Sequence, residues 1–265
     1  MFISENVIYF ELQKTGCSHT LNILNTLIPD GKIIGKHNVY SSVSKSDLGD
    51  FRNKIKIGNI RNPWDWYVSL WSFGCLHEGG LYGRVTRKPN LFKFNQFRHI
   101  INGSCFKYNI DLWKKLYSDS SNIDNFKKWL TLILLEQDYS IFEGYTESKI
   151  SKKIGLLSYR YIKLYTKKGK NDLVKINSYS DLIHYDNQHN FINLFIKNES
   201  IHHDFINNSE LFGISSKNMR IVLEGFNIRT NSSIRGDYRN YYDDELVDLV
   251  YKKEKFILDK FNYSF

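Results

Sequence analysis

The 265 residues hold only three cysteines, Cys17, Cys75 and Cys105. The count is odd and the spacing unpaired, which argues against a disulfide framework and against a zinc ribbon. Apolar runs are short. None approaches the ~18 residues of a membrane span, and no charged-then-apolar leader precedes the first hydrophobic stretch. A soluble, cytoplasmic protein is expected from these absences. Internal repeats and low-complexity linkers are missing too, so one domain over 1–265 is expected, with room for an inserted segment. Nor is there metal-ligand spacing. His184 and His189 lack cysteine or carboxylate neighbours at zinc spacing, and the adjacent His202 and His203 face different directions on a helix. No metal is expected.

What the chain does have is positive charge. Its formal net charge is +9, which points to anionic ligands. Lys, Asn and Ile are abundant throughout, so part of the excess is simply composition. The run from Lys149 to Lys175 reads either as a solvated face or as a guide for an acidic acceptor. A non-catalytic binder of polyanions would explain the charge, but it would not explain the motifs below. Nucleic acid is therefore not an expected partner.

The chain is organised around Val7 to Thr20. Val7-Ile8-Tyr9-Phe10 reads as a buried strand. Lys14-Thr15-Gly16-Cys17-Ser18 forms a small-residue turn. Leu21, Leu24 and Ile28 then share one helical face, with Ser18 placed to cap the helix. A helix N-terminus after such a turn is an anion site, because its first N–H groups have no partners within the helix and its dipole favours negative charge. The ATP-type loop G-x-x-x-x-G-K-S/T fits poorly, since Lys14 precedes Gly16.

Gly31 to Tyr40 reads as a second extended segment, and Ser44 to Arg52 as a short helix capped by Ser44 or Ser46. Lys54 to Ile60 alternates as a strand. Pro63 suits the first turn of a helix carrying Trp64, Tyr67, Val68, Trp71 and Cys75. Gly79 to Asn109 reads as a long surface insertion. Further on, Phe126 to Leu134 is helical, Phe191 to Ile196 a core strand, and Asp243 to Phe261 a closing helix capped by Asp243. Strands alternating with helices predict an α/β fold with a central, mainly parallel sheet flanked by helices. Arg61 ends one strand, and Ser69 follows in the second turn of the next helix. Ligands of parallel α/β sheets gather at the C-terminal strand ends, so Lys14 and Arg61 would share that edge.

On these residues the chain resembles the sulfotransferases that use 3′-phosphoadenosine 5′-phosphosulfate, particularly the carbohydrate sulfotransferases. Gln13-Lys14-Thr15-Gly16-Cys17-Ser18-His19 is similar to the family's P-K-T-G-G-T-S or K-V-G-C-T-N loop. Arg61-Asn62-Pro63-Trp64-Asp65-Trp66-Tyr67-Val68-Ser69 is similar to R-N-P-W-D-R-x-V-S. Phe195 to Glu199 resembles R-x-E-N-L in shifted form, and Tyr241 to Val247 resembles Y-Y-D-E-E-L-V. The specific parts cover 7–28, 54–75 and 229–263, while 79–190 has no counterpart and is taken as the acceptor-side region. Cys17, His19 and Trp66 depart from the family's usual glycine, serine and arginine.

The resemblance implies a P-loop-like sulfotransferase fold. It also implies transfer of a sulfuryl group to a hydroxyl or amine of an acceptor, with 3′-phosphoadenosine 5′-phosphate as product and no metal required. The acceptor would be a saccharide, for which sulfated or uronic-acid-bearing sugars fit the basic stretches, while a lipid headgroup or protein tyrosine would fit them too. Lys14, Thr15, Gly16, Cys17, Ser18, His19 and Thr20 would hold the 5′-phosphosulfate, and Arg61 and Ser69 the 3′-phosphate. Arg235 and Gly236 would be late contacts. Lys14 would stabilise the leaving oxygen, and His37, in Gly35-Lys36-His37-Asn38, would take the acceptor's proton. The other readings are a nucleotide-dependent phosphotransferase, which would need magnesium, and the polyanion binder.

Overall fold

The computed structural model describes residues 1–86, 109–135, 144–145, 148–226 and 235–265. In chain order its elements are β1 Phe2–Ile3, β2 Val7–Phe10, α1 Cys17–Leu27, β3 Lys32–Ile33, α2 Lys45–Leu48, β4 Ile55–Ile60, α3 Pro63–Cys75, α4 Gly80–Thr86, α5 Ile110–Leu116 and α6 Ile123–Leu135. They continue with α7 Leu156–Tyr165, α8 Gly169–Asp172, α9 Tyr179–His189, β5 Leu194–Lys197, α10 Ile201–Asn207, α11 Ser216–Glu224 and α12 Asp244–Phe261. Cys105, Arg229 and most of the expected insertion lie outside the described residues. None of the described helices is long and apolar enough to cross a membrane.

The fold is α/β, with a five-stranded sheet of order β3-β1-β2-β4-β5 flanked by helices. The expectation of a mainly parallel sheet needs correction. β2, β4 and β5 run parallel, but β1 pairs antiparallel with both β2 and β3, so the sheet is mixed. The physical reason is the short link from β1 to β2, which is a hairpin and cannot make a parallel crossover. The expected second extended segment shrinks to the two exposed residues of β3 at the edge.

The chain divides into two compact units. The first holds Met1–Asn62, Arg160–Asp172 and Ile183–Ser232; the second holds Pro63–Tyr159, Leu173–Leu182 and Ser233–Phe265. In the first unit, side chains alternate across the sheet. Val7, Tyr9, Ile57, Leu194 and Ile196 meet Ile23 and Leu24 of α1, Phe205 of α10 and Leu223 of α11 in one core. On the opposite face, Tyr165 packs where a side chain at Gly58 would stand. A Cβ there would lie 2.7 Å from its ring. The Tyr165 hydroxyl donates to the Asn59 carbonyl at 2.6 Å.

The second unit is helical and built on aromatics. Trp64, Trp66, Trp71, Trp113 and Trp129 are all buried. Their polar edges are used where partners exist, with Trp71 Nε1 donating to the Leu116 carbonyl and Trp129 Nε1 to the Tyr117 hydroxyl. In α3, ten of the thirteen residues are buried, so this helix is enclosed more fully than its spacing indicated.

Candidate functional site

The turn between β2 and α1 is held in an unusual backbone state. Lys14 has φ +63° and Gly16 has φ +83°. Glycine is required at 16, because a Cβ there would lie 2.7 Å from Asn198 Oδ1 and 2.9 Å from Ile201 Cδ1. Lysine at 14 carries a left-handed strain of about 1–2 kcal/mol, which persists only where neighbours over-determine it. β4 supplies those neighbours. Asn59 Nδ2 donates to the Thr15 carbonyl at 2.8 Å, and Arg61 Nη1 donates to the Lys14 carbonyl at 3.0 Å.

This clamp orients the turn. In a trans peptide the N–H points opposite to the C=O. With the Lys14 and Thr15 carbonyls turned to β4, the amides of Thr15 and Gly16 point the other way. The first amides of α1 follow directly. α1 has Gly16 as its cap, no side-chain capping bond and no acidic residue in its first turn. By contrast, the caps Ser44, Asn109, Ser215 and Asp243 each accept a backbone N–H at their own helices. Ser18 therefore does not cap α1, as the sequence reading expected. It sits exposed within the first turn, because the helix begins two residues earlier than that reading required.

Several side chains of the loop serve the turn itself. The Thr15 hydroxyl donates to the Leu12 carbonyl at 2.6 Å, as does the Cys17 thiol at 2.7 Å. Burial pushes the Cys17 thiol up, with the Glu11 carboxylate adding to the effect, so it stays protonated. Cys17 is helical, and its place in the family's glycine position carries no left-handed strain. Thr20 Oγ1 accepts from Asn59 at 2.8 Å. His19 turns inward, its Nε2 2.9 Å from His202 Nε2, with the two rings stacked. What the loop offers an anion is thus backbone amides and the half-buried Lys14.

His37 joins this turn. Its Nδ1 lies 2.8 Å from the Glu11 carbonyl, just past the end of β2. A carbonyl only accepts, so Nδ1 carries the hydrogen and Nε2 of the neutral ring keeps its lone pair. Burial lowers the pKa below the usual 6.5, with the terminal ammonium and Arg160 adding repulsion while Glu11 opposes them. The ring is neutral at physiological pH. The Glu11 carboxylate itself pairs with the Met1 ammonium.

The end of β5 closes the edge. Glu199 Oε1 accepts the Asn62 amide at 2.8 Å, and the Asn198 amide donates to the Ile60 carbonyl. Lys14, Arg61 and His37 thus stand at the C-terminal ends of neighbouring parallel strands in one unit. Comparison with protein-family models, curated proteins and solved structures returned no match. The reading of the site therefore rests on its geometry and on the motifs.

Ser69, Arg235 and Gly236 belong to the second unit. Ser69 is buried in α3. Arg235 is paired with Asp65 of the Arg61–Ser69 motif, and Gly236 beside it is exposed. The Tyr242 hydroxyl donates to the Trp64 carbonyl at 2.8 Å, and Trp64 Nε1 to the Val247 carbonyl. Two stretches far apart in sequence, both part of the resemblance, therefore meet inside this unit.

Sequence reasoning missed Asn59 and Glu11, and it gave Glu199 and His202 no part in the site. Asn59 did carry a signal, being a lone amide side chain in an otherwise apolar strand. Glu199 stood only in the shifted R-x-E-N-L resemblance, and Glu11 and His202 carried no local signal, because their partners are distant in the chain.

Proposed function

We infer that the protein transfers a sulfuryl group from 3′-phosphoadenosine 5′-phosphosulfate to a hydroxyl, or an amine, of a saccharide acceptor. The observation that carries this reading is the pairing of an open anion turn with a neutral histidine anchored at its base. The turn offers outward amides, an uncapped helix start and Lys14. The histidine is fixed through Nδ1, with Nε2 left as an acceptor. A phosphosulfate supplies the anion and the leaving group, and an acceptor hydroxyl supplies the proton. The P-loop-like sulfotransferase fold belongs to the same reading, as do the roles of Ser69, Arg235 and Gly236, which enter through the resemblance alone.

His37 Nε2 takes the proton as the acceptor oxygen bonds to sulfur. The bond from sulfur to the bridging oxygen breaks at the same time, leaving its electron pair on the 5′-phosphate. Lys14 and the amides of Gly16, Cys17 and Ser18 are preorganised for the charge that develops there, so little reorganisation is needed during transfer. Arg61 anchors the turn at Lys14, and a guanidinium fork suits a phosphate.

The test is transfer of labelled sulfuryl groups to a panel of glycans, together with calorimetric binding of 3′-phosphoadenosine 5′-phosphate. His37→Ala should abolish turnover and leave nucleotide affinity intact. Lys14→Gly keeps the left-handed backbone and removes the ammonium, and should cost turnover about 10²–10³-fold. Failure of the nucleotide to bind at millimolar concentration, or magnesium-dependent ATP binding in its place, would overturn the reading.

A further inference from the structure

On the sheet face that carries Phe10, two lysines share one aromatic ring. Lys56 Nζ lies 5.4 Å from the Phe51 ring centre, and Lys167 Nζ lies 5.3 Å from the same ring and 5.6 Å from Tyr40. Phe10, Tyr40, Phe51 and Phe191 pack together, with centroid separations of 4.8 Å for Phe10–Phe191 and for Tyr40–Phe51. Phe10, Phe51 and Lys56 form a buried floor, while Tyr40 and Phe191 are half-buried and Lys167 is exposed at the rim. All six belong to the first unit.

Neither lysine has a carboxylate partner among the described residues. Lys56 Nζ donates only to the Arg52 carbonyl, at a long 3.3 Å. A single ammonium over a ring is favourable, but two over one ring repel each other. Burial, and then Lys167, hold the Lys56 pKa below its usual value. An anion between the two ammonium groups would relieve both effects. The cluster is also continuous with His37. Tyr40 lies three residues beyond it, and Phe10 immediately precedes Glu11, whose carbonyl fixes the imidazole.

We propose that Lys56 and Lys167, framed by Tyr40, Phe51 and Phe191, form an acceptor subsite for the anionic substituent of a sugar ring. That substituent is a carboxylate or a sulfate. The ammonium groups take the charge, and the half-buried rings take an apolar sugar face. As the acceptor half of the sulfuryl-transfer site the assignment rests on that reading, but the binding of an anionic sugar does not.

The experiment is an NMR titration of the full chain, without nucleotide. The probes are methyl glucuronide, methyl glucoside 6-sulfate and neutral methyl glucoside. Both anionic sugars should bind at least about tenfold more tightly than the neutral one. Lys167→Met, at an exposed position, should remove most of that preference, and Lys167→Arg should keep it. Selective binding of one anionic sugar would identify which substituent the subsite takes. The proposal is overturned if neither anionic sugar binds at millimolar concentration, if the neutral sugar binds equally well, or if Lys167→Met binds as the parent does. Binding of 3′-phosphoadenosine 5′-phosphate, run in parallel, should be unchanged in Lys167→Met. If the parent fails to bind the nucleotide yet shows a lysine-dependent sugar preference, the transfer reading falls and the subsite stands.

Discussion

Two helix starts in this chain meet the same physical problem in opposite ways. The first amides of any helix lack partners within it, and its dipole draws negative charge. At α7 the protein provides the anion. The carboxylate of Glu254 accepts the amides of Leu157 and Ser158, each at 2.9 Å, as well as the hydroxyls of Ser158 and Tyr67. The Leu156 amide reaches the Tyr67 hydroxyl. At α1 the cap is glycine, no side-chain capping bond is made and the first turn carries no acid. The closed start is structural. The open one, with a lysine held in a strained turn beside it, is the start that the proposed function assigns to a visiting anion.

Removing the built-in anion should have the largest effect. Glu254 is fully buried at a kink in α12, where its own φ is −105° and ψ 15°. Burial raises its pKa, and the donors around it oppose that rise. Glu254→Gln places an amide NH₂ against donors, and should lower unfolding free energy by about 2–4 kcal/mol. Denaturant unfolding measures this. A change under 1 kcal/mol would mean that α7 does not depend on the carboxylate.

Closing the open start should cost less in stability and more in ligand. Gly16→Ala introduces a Cβ at a left-handed position and within 3 Å of Asn198 and Ile201. About 2 kcal/mol of destabilisation is expected, with the strain and the contact contributing together. Adding Asn198→Gly should recover only the Asn198 share of the contact part, because Ile201 remains. Nucleotide binding should fall in Gly16→Ala and hold in Glu254→Gln. If both variants bound the nucleotide alike, the contrast between the two helix starts would lose its functional meaning.

The sequence made some of this legible and hid the rest for identifiable reasons. β2, β4, α3 and α12 rest on local apolar patterns and appear within a residue or two of the expected limits, while α6 starts three residues before the expected Phe126. β1 is two residues long, too short to show any period, and its antiparallel pairing made the sheet mixed. α9 left no such pattern because its buried positions are few: Leu182, Tyr185 and Asp186 among residues such as Asn187 and Gln188. Lys14, Arg61 and His37 could be singled out from their neighbours in sequence. The clamps on them could not, since Asn59 reaches Thr15, and Glu199 reaches Asn62, across long stretches of chain. The pairing of His19 with His202 spans still more and left no local trace.

The smallest expected effect concerns His37, and it separates a catalytic base from a turn residue. Burial disfavours its imidazolium in the folded chain, so the unfolded chain binds the proton more readily. The stability tied to this residue is therefore complete above the unfolded value of about 6.5, and is lost as the pH falls through the lower folded value. A base with that lowered value stays competent into mildly acid solution, and the acidic limb of kcat/KM should fall below pH 6.5. Replacing Arg160, one of the cations that lowers it, with Gln should move that limb upward by a fraction of a pH unit, because one repelling charge is gone. A turn residue would shift only the pH dependence of unfolding. If the limb stayed fixed in Arg160→Gln while the unfolding profile moved, His37 would be a structural partner of Glu11 and the base would have to be sought elsewhere on the same edge.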